Sequence, residues 1–132
     1  MTKKKLKEKL DRLFSQFVRI RDADDHGNIV CASCNVVLPW KKSHAGHFIS
    51  RSCHSVRWNE QNVNGQCPKC NLWSQGQQYA HSLTIDKKYG EGTAERLYRE
   101  SKKTKQYTEA DYEILIEEYK EKVKQLKADR GW

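Results

Sequence analysis

The sequence has no long hydrophobic run and comparatively few apolar residues. Only 36% of its 132 residues are hydrophobic, whereas 32% are charged. This length and composition predict one domain with a small core, which a bound metal ion would help to hold together. No apolar segment approaches the length of a membrane span, and residues 1–9 are too charged for a signal peptide. We therefore expect a soluble intracellular protein with no membrane partner.

Acidic residues are scarce relative to basic ones. The chain has 17 Asp and Glu against 25 Lys and Arg, which gives a formal net charge of +8. The positive excess lies in residues 1–22 and 38–75, whereas residues 101–132 are nearly balanced. A charge of this size favours a polyanionic partner, and nucleic acid is the first candidate. The alternative is a lysine-rich surface that only keeps the protein soluble.

The cysteines form two CxxC pairs and one single residue. The pairs are Cys31–Cys34 and Cys67–Cys70, and four thiolates complete a tetrahedral shell typical of a structural zinc. Without a signal peptide, metal binding is a better explanation for these pairs than disulfides. The 32 residues between Cys34 and Cys67 exceed the loop of a common zinc ribbon, about 15–20 residues. Cys53 is expected to be a small, half-buried residue.

Long amphipathic helices are predicted at both ends of the chain, and they are expected to pack together. Residues 3–22 place apolar side chains at three- and four-residue steps, as do the residues after Thr108, where Asp111 completes a capping pattern. Shorter elements are predicted between them: strands at 29–30, 36–38, 44–50 and 55–58, and helices after Pro68, at 77–89 and at 93–101, with Thr93 as a cap. The predicted organisation is one α+β domain, with a basic helix at 1–25, a zinc core at 29–80 and further helices at 81–132.

The loop between the cysteine pairs carries residues that suit phosphodiester hydrolysis. That reaction needs a base that activates water and a divalent cation that neutralises charge on the phosphate. His47 is the candidate base, and Asn62 is expected to brace the loop and hold the imidazole of His47 by hydrogen bonding. Asn71, next to Cys70, would present an oxygen to a catalytic Mg²⁺ or Mn²⁺. Alternatively, His47 is a buried structural histidine and Asn71 only caps a turn.

Five basic side chains lie close in sequence to these residues and are candidates for contact with DNA phosphates. They are Lys41, Lys42, Arg51, Arg57 and Lys69. A solvated surface is the alternative interpretation of this charge. The two histidines outside this region, His26 and His81, are expected on the surface.

Four motifs, in this order, resemble the Rap, or NinG, family of phage recombination endonucleases. They are the first CxxC pair, AGHF at Ala45–Phe48, RWNEQN at Arg57–Asn62 and QCPKCN at Gln66–Asn71. The resemblance covers most of the chain and continues through the closing amphipathic helix. It implies a zinc-stapled ββα-metal, or HNH-like, core flanked by long helices. It also implies an endodeoxyribonuclease that acts on branched recombination intermediates such as Holliday junctions.

The resemblance also assigns positions within the proposed site. Three residues match the first histidine, the central asparagine and the final metal ligand of the HNH group: His47, Asn62 and Asn71. Many HNH enzymes have a metal-binding aspartate just before the first histidine, where this chain has Gly46. We therefore expect His44, which would lie on the same strand face as residue 46, to supply the missing ligand. His54 is the alternative.

The sequence thus predicts a DNA endonuclease with a structural Zn²⁺ and a catalytic Mg²⁺ or Mn²⁺. It would be encoded by a phage or prophage and work in the cytoplasm of a bacterial host. A four-way junction has near two-fold symmetry, so symmetric cutting favours a homodimer built from the terminal helices. Two alternatives remain: an HNH nicking endonuclease without branch preference, and a non-catalytic zinc module that binds nucleic acid or protein.

Overall fold

In the part of the chain that the structure describes, helices are combined with four short strands. The computed structural model describes residues 1–73 and 77–132. In chain order the elements are α1 (Lys3–Asp22), β1 (Asn28–Val30), β2 (Val37–Pro39), β3 (His44–His47), α2 (His54–Arg57), β4 (Val63–Gln66), α3 (Gln78–Tyr89), α4 (Thr93–Glu100) and α5 (Glu109–Arg130). A 3₁₀ turn lies at Trp40–Lys42 and a π-helical turn at Lys69–Trp73. No helix in the described residues is both long and apolar enough to cross a lipid bilayer.

The largest core lies between α1 and α5, as the two amphipathic patterns predict. The buried side chains of these helices are Leu6, Leu10, Phe14, Phe17, Val18, Ile20, Tyr112, Ile116, Tyr119 and Val123. The ring of Tyr119 meets those of Phe14 and Phe17 edge-on, with centroids 5.0 and 5.2 Å apart. Each such pair adds about 0.5–1.5 kcal/mol beyond the burial of its area. The predicted capping box of Thr108 and Asp111 is also confirmed.

The strands form two small antiparallel sheets, so the predicted α+β class is confirmed. β1 pairs with β2, and β3 pairs with β4. In the second sheet His44 lies opposite Gln66, and His47 lies opposite Val63. A backbone hydrogen bond of 2.9 Å from the N–H of Ala32 to the carbonyl of Gly65 joins the two sheets. The two cysteine pairs therefore lie at adjacent ends of neighbouring sheets.

Three predictions for the middle of the chain are wrong. Residues 55–58, predicted as a strand, lie in and just after the helical turn α2, and the partner of β3 is instead β4. All four residues of β4 are buried although three are polar or glycine, so its sequence shows no alternation. The predicted strand at 44–50 ends at His47. Thr93 does not cap α4, because Gly92 occupies that position and the Thr93 hydroxyl donates to the carbonyl of Gly90.

The C-terminal end of α1 is fixed to β4. Arg21 donates to the carbonyl of Val63 at 2.9 Å, and the carboxylate of Asp22 accepts from the N–H of Gly65 at 2.8 Å. Burial opposes ionisation of Asp22, but hydrogen bonds and charges from Arg21 and Lys88 outweigh it and lower the pKa of Asp22. This anchor sets the position of α1 along the β3–β4 sheet.

Candidate functional site

The four predicted zinc ligands lie together. Cys31 and Cys34 lie in the turn between β1 and β2, and Cys67 and Cys70 follow directly after β4. Their sulfur atoms all lie within 4.8 Å of one another, and Sγ of Cys34 is 3.7 Å from Sγ of Cys67. Tetrahedral Zn–S bonds of about 2.3 Å place sulfurs about 3.8 Å apart, so the cluster fits zinc. Among the described residues it is the one group of three or more His, Cys, Asp or Glu side chains arranged to hold a metal.

Backbone N–H groups point at the sulfur atoms of this cluster. The N–H of Ser33 lies 3.5 Å from Sγ of Cys31, and that of Cys70 lies 3.5 Å from Sγ of Cys67. Burial opposes ionisation of Cys31, but hydrogen bonds from the backbone of Cys34, Cys67 and Ser33 outweigh it and lower the pKa of Cys31 to about 7. A thiol with this pKa loses its proton near neutral pH, as metal binding requires.

His47, the predicted base, lies at the end of β3 and is held by a backbone carbonyl. Its Nε2 is 2.9 Å from the carbonyl oxygen of Arg57. Because a carbonyl oxygen only accepts, Nε2 carries the proton and Nδ1 keeps its lone pair. Burial lowers the pKa of His47 to about 4. The charge of Arg51 adds to this shift, and the hydrogen bond to the Arg57 carbonyl opposes it. The ring is therefore neutral at pH 7, with one defined nitrogen able to take a proton.

Asn62 fixes the loop that follows β3. Its buried side chain accepts from the N–H of Ile49 at 2.8 Å and donates to the carbonyls of Ile49 and Val56, both at 3.1 Å. These bonds are made to backbone and not to the imidazole of His47. Since Val56 immediately precedes Arg57, Asn62 acts on His47 through the loop that carries the Arg57 carbonyl.

Asn71 contacts His44 rather than His47. Its Nδ2 lies 3.1 Å from Nδ1 of His44, which begins β3. Asn71 directly follows Cys70, so the cysteine cluster positions this contact. Because an amide N–H donates, Nδ1 of His44 accepts in this contact, and Oδ1 of Asn71 is not used in it. His54, the alternative ligand, lies in a separate pocket, 5.9 Å from an indole ring.

A groove of about 810 Å³ between α1 and β3 contains these side chains. It is lined by His44, His47 and Asn71, and its charged lining residues are Asp11, Arg12, Arg19, Lys41 and Arg51. Of the five predicted phosphate contacts, Lys41 and Arg51 therefore face the groove. Lys42 and Lys69 are exposed but do not line it in the described part of the chain. Positive charge beside a base and two candidate metal ligands suits a phosphodiester backbone.

Arg57 departs from its predicted role as a phosphate contact. It is only 8% exposed, and its Nε and Nη2 donate to the two carboxylate oxygens of Asp11 at 3.2 and 2.5 Å. Asp11 also accepts from Nε1 of Trp58 at 3.0 Å and from Arg51 at 3.1 Å. Sequence reasoning missed Asp11, because nothing in the pattern of α1 links it to a partner 46 residues away. The ion pair fixes the residue whose carbonyl holds His47.

Gly46 leaves room for the side chain of Gln66. A Cβ at position 46 would lie 1.6 Å from Oε1 of Gln66. The side chain of Gln66 is fully buried, and its Nε2 donates to the hydroxyl of Ser33 at 2.7 Å. An aspartate at this position, of the kind that many HNH enzymes carry, has no room here. In this packing of β3 against β4, a side chain at position 46 requires the side chain of Gln66 to move.

His81, predicted on the surface, is fully buried. Its Nε2 accepts from the side-chain amide of Asn64 at 3.2 Å, and its ring meets that of Phe48 edge-on at 5.8 Å. Burial, with a smaller contribution from His47, lowers the pKa of His81 to about 4. The prediction failed because the polar partner of His81 lies on β4, the strand that the sequence did not reveal. His26 is exposed, as predicted.

The match to a known family extends over almost the whole chain. A family model described as "Bacteriophage Lambda NinG protein" matches residues 1–129. The chain belongs to the NinG family. Protein ninG of Escherichia phage lambda is 25% identical over 116 residues, which cover 87% of this chain and 54% of that relative. The NinG-family chain thus spans about half the length of the curated relative it matches. No solved structure matches it.

Proposed function

We propose that this NinG-family chain is a metal-dependent DNA endonuclease of the HNH, or ββα-metal, type. One observation carries the proposal: His47 lines a basic groove and directs its Nε2–H to the Arg57 carbonyl, which leaves its Nδ1 unprotonated. His44 and Asn71 line the same groove. The order of β3, β4 and the helical turn that carries Asn71 also supports a ββα arrangement.

Each groove residue has a stated role in this proposal. Nδ1 of His47 takes the proton of the attacking water, and Asn62 keeps the loop behind it in place. His44 and Asn71 would hold Mg²⁺ or Mn²⁺, which when bound neutralises charge on the phosphate and on the leaving oxygen. Lys41 and Arg51 contact phosphates on either side of the reacting one. The zinc cluster has a structural role, since its four ligands leave no open position.

The proposed substrate is branched DNA, such as a Holliday junction, as the family resemblance implies. Symmetric cutting of such a junction needs two active sites, which a homodimer would provide. Analytical ultracentrifugation of the protein, alone and with a four-way junction, tests this part. A complex with one chain per junction at all concentrations would contradict the dimer.

The decisive experiment compares cleavage of a four-way junction by wild type, His47→Ala and Asn71→Ala, in Mg²⁺ and in EDTA. We expect wild type to cut in Mg²⁺ and each variant to lose at least about 100-fold in rate. Junction binding in EDTA should stay within about twofold of wild type, because phosphate contacts supply most of the affinity. His26→Ala is the matched control, since His26 is an exposed histidine outside the groove.

Each alternative gives a different result in the same experiment. Equal rates on the junction and on a matched linear duplex favour a nicking enzyme without branch preference. Normal binding with no cleavage by wild type in Mg²⁺ or Mn²⁺ favours a non-catalytic zinc module. Full activity of His47→Ala removes His47 from the mechanism.

A further inference from the structure

A second concave surface lies beside the first two turns of α1, outside the groove. It has a volume of about 470 Å³ and is formed where α1, the start of α2 and the segment before α5 meet. We call it the lysine pocket; its basic residues are Lys3, Lys4, Lys7, Lys105 and His54. None of the residues that line it in the described chain is acidic.

The lysines of this pocket make no direct ion pair with a carboxylate in the described part of the chain. The carboxylates nearby are engaged elsewhere. Asp111 accepts from the N–H of Thr108 in the cap of α5, and Asp11 is bound by Arg57 and Arg51. Asp111 is close enough to Lys105 and Lys3 to offset part of their charge, but the five basic residues leave the pocket with an excess of positive charge.

Aromatic rings that pack against one another form a rigid side of the lysine pocket. Tyr107 meets the indole of Trp58 edge-on at 5.0 Å and stacks on Tyr112 at 5.5 Å. Nζ of Lys105 lies 5.3 Å from the centroid of the Tyr107 ring, within the range of a cation–π contact. Burial and the charges of Lys7 and Arg57 lower the pKa of His54, and the charge of Asp11 opposes this shift.

The lysine pocket and the groove lie along the same helix. Lys7 of the pocket precedes Asp11 of the groove by one helical turn, and Arg19 lies at the far end of the groove. From Lys7 to Arg19 the helix rises about 18 Å, which matches about five base pairs at 3.4 Å each. One duplex lying along α1 can therefore reach both surfaces.

We propose that the lysine pocket binds a backbone phosphate of the DNA that flanks the phosphodiester in the groove. The inference rests on the proposed function and adds a second anchoring site to it. Its ligand is a phosphodiester recognised by charge, without base contacts, so the pocket sets the position of the DNA and not its sequence.

The test measures DNA affinity against salt concentration in EDTA, where binding is separated from cleavage. Lys7→Gln/Lys105→Gln is compared with Lys120→Gln/Lys124→Gln, which removes the same charge from the exposed face of α5. Each lost phosphate contact reduces the slope of log K against log salt by about 0.9. We expect the pocket variant to lower the slope by about 1–2 and the affinity at least fivefold, and the control to change both little. Lys7→Arg/Lys105→Arg should restore binding, and circular dichroism checks the fold of each variant.

Equal losses in the two Gln variants would overturn the proposal, because the lysines would then contribute only net charge. Wild type that does not bind DNA would overturn it as well. Failure of the proposed function gives a different result, namely normal binding and normal slopes with no cleavage in Mg²⁺ or Mn²⁺.

Discussion

Asp11 of α1 and Arg57 of α2 form a two-point ion pair that lies directly behind the His47 imidazole. The guanidinium of Arg57 donates to both carboxylate oxygens of Asp11, and the carbonyl of Arg57 accepts from Nε2 of His47. A side-chain contact between distant segments thus fixes the backbone atom that sets the protonated nitrogen of His47. Loss of this ion pair should alter both the stability of the protein and the orientation of the His47 imidazole.

We predict that Asp11→Asn destabilises the protein by about 3–5 kcal/mol, because it leaves the buried Arg57 guanidinium without its counter-charge. Urea denaturation measures this change. Arg51→Gln is the matched control, since Arg51 contacts the same carboxylate from a side chain that is 61% exposed. A loss below about 1 kcal/mol is expected there. Equal losses of stability in the two variants would show that the burial of Arg57 does not increase the cost of removing its counter-charge.

We predict one zinc ion per chain, held by the four cysteines and required for the local fold. Cys70→Ser should remove the zinc and separate Asn71 from His44, since Asn71 follows the lost ligand. Elemental analysis measures the metal, and proteolysis measures exposure of the middle of the chain. Cys53→Ser is the control, because Cys53 lies outside the cluster among apolar side chains. Stoichiometric zinc in Cys70→Ser would contradict the predicted ligand set.

We predict that Gly46→Ala costs about 1–3 kcal/mol, because the new methyl group meets the buried side chain of Gln66. Adding Gln66→Ala should recover part of this loss by opening the space. A double-mutant cycle measures the coupling between the two positions. Additive losses in the double variant would show that Gly46 is constrained by something other than Gln66.

We predict that stability falls as the pH drops from 6.5 towards 4. Burial lowers the pKa of His47 and His81 to about 4, below the ordinary value of 6.5, so in this window the unfolded chain binds more protons. Between pH 7 and pH 5 each histidine should cost on the order of 1–2 kcal/mol.

Urea denaturation of wild type and His81→Gln across this pH range measures the contribution of His81. Any effect of pH on the zinc cluster is common to both proteins. On acidification the free energy of unfolding of the variant should therefore fall less than that of wild type, and the difference should be about the contribution of one histidine. Parallel curves would show that His81 is already protonated or exposed in the native state.

The sequence predicts the terminal helices well because each carries a complete local signal. The apolar stripe of α1 and the cap at Thr108 are set by neighbours three or four residues apart. The cysteine cluster is predicted for a similar reason, since each CxxC pair is local and four thiolates have few other uses. These features needed no knowledge of the rest of the fold.

The residues that the sequence did not place correctly depend on distant partners. β4 is buried on all sides although its centre is Asn64-Gly65, so neither alternation nor an apolar run marks it. Because β4 was missed, the burial of His81 against Asn64 was missed too. The burial of Arg57 likewise depends on Asp11, whose position is set by the packing of α1 against α5.

The pairing of α1 with α5 has a consequence for how the protein is made. α1 supplies one wall of the groove, yet its apolar stripe packs mainly on α5, which begins 87 residues after α1 ends. Most of the stability of a helix in a protein comes from the packing of its apolar face, and for α1 the packing partner is α5. α1 is therefore synthesised before α5 but can take its final place only once α5 is present, so the groove is completed late in folding.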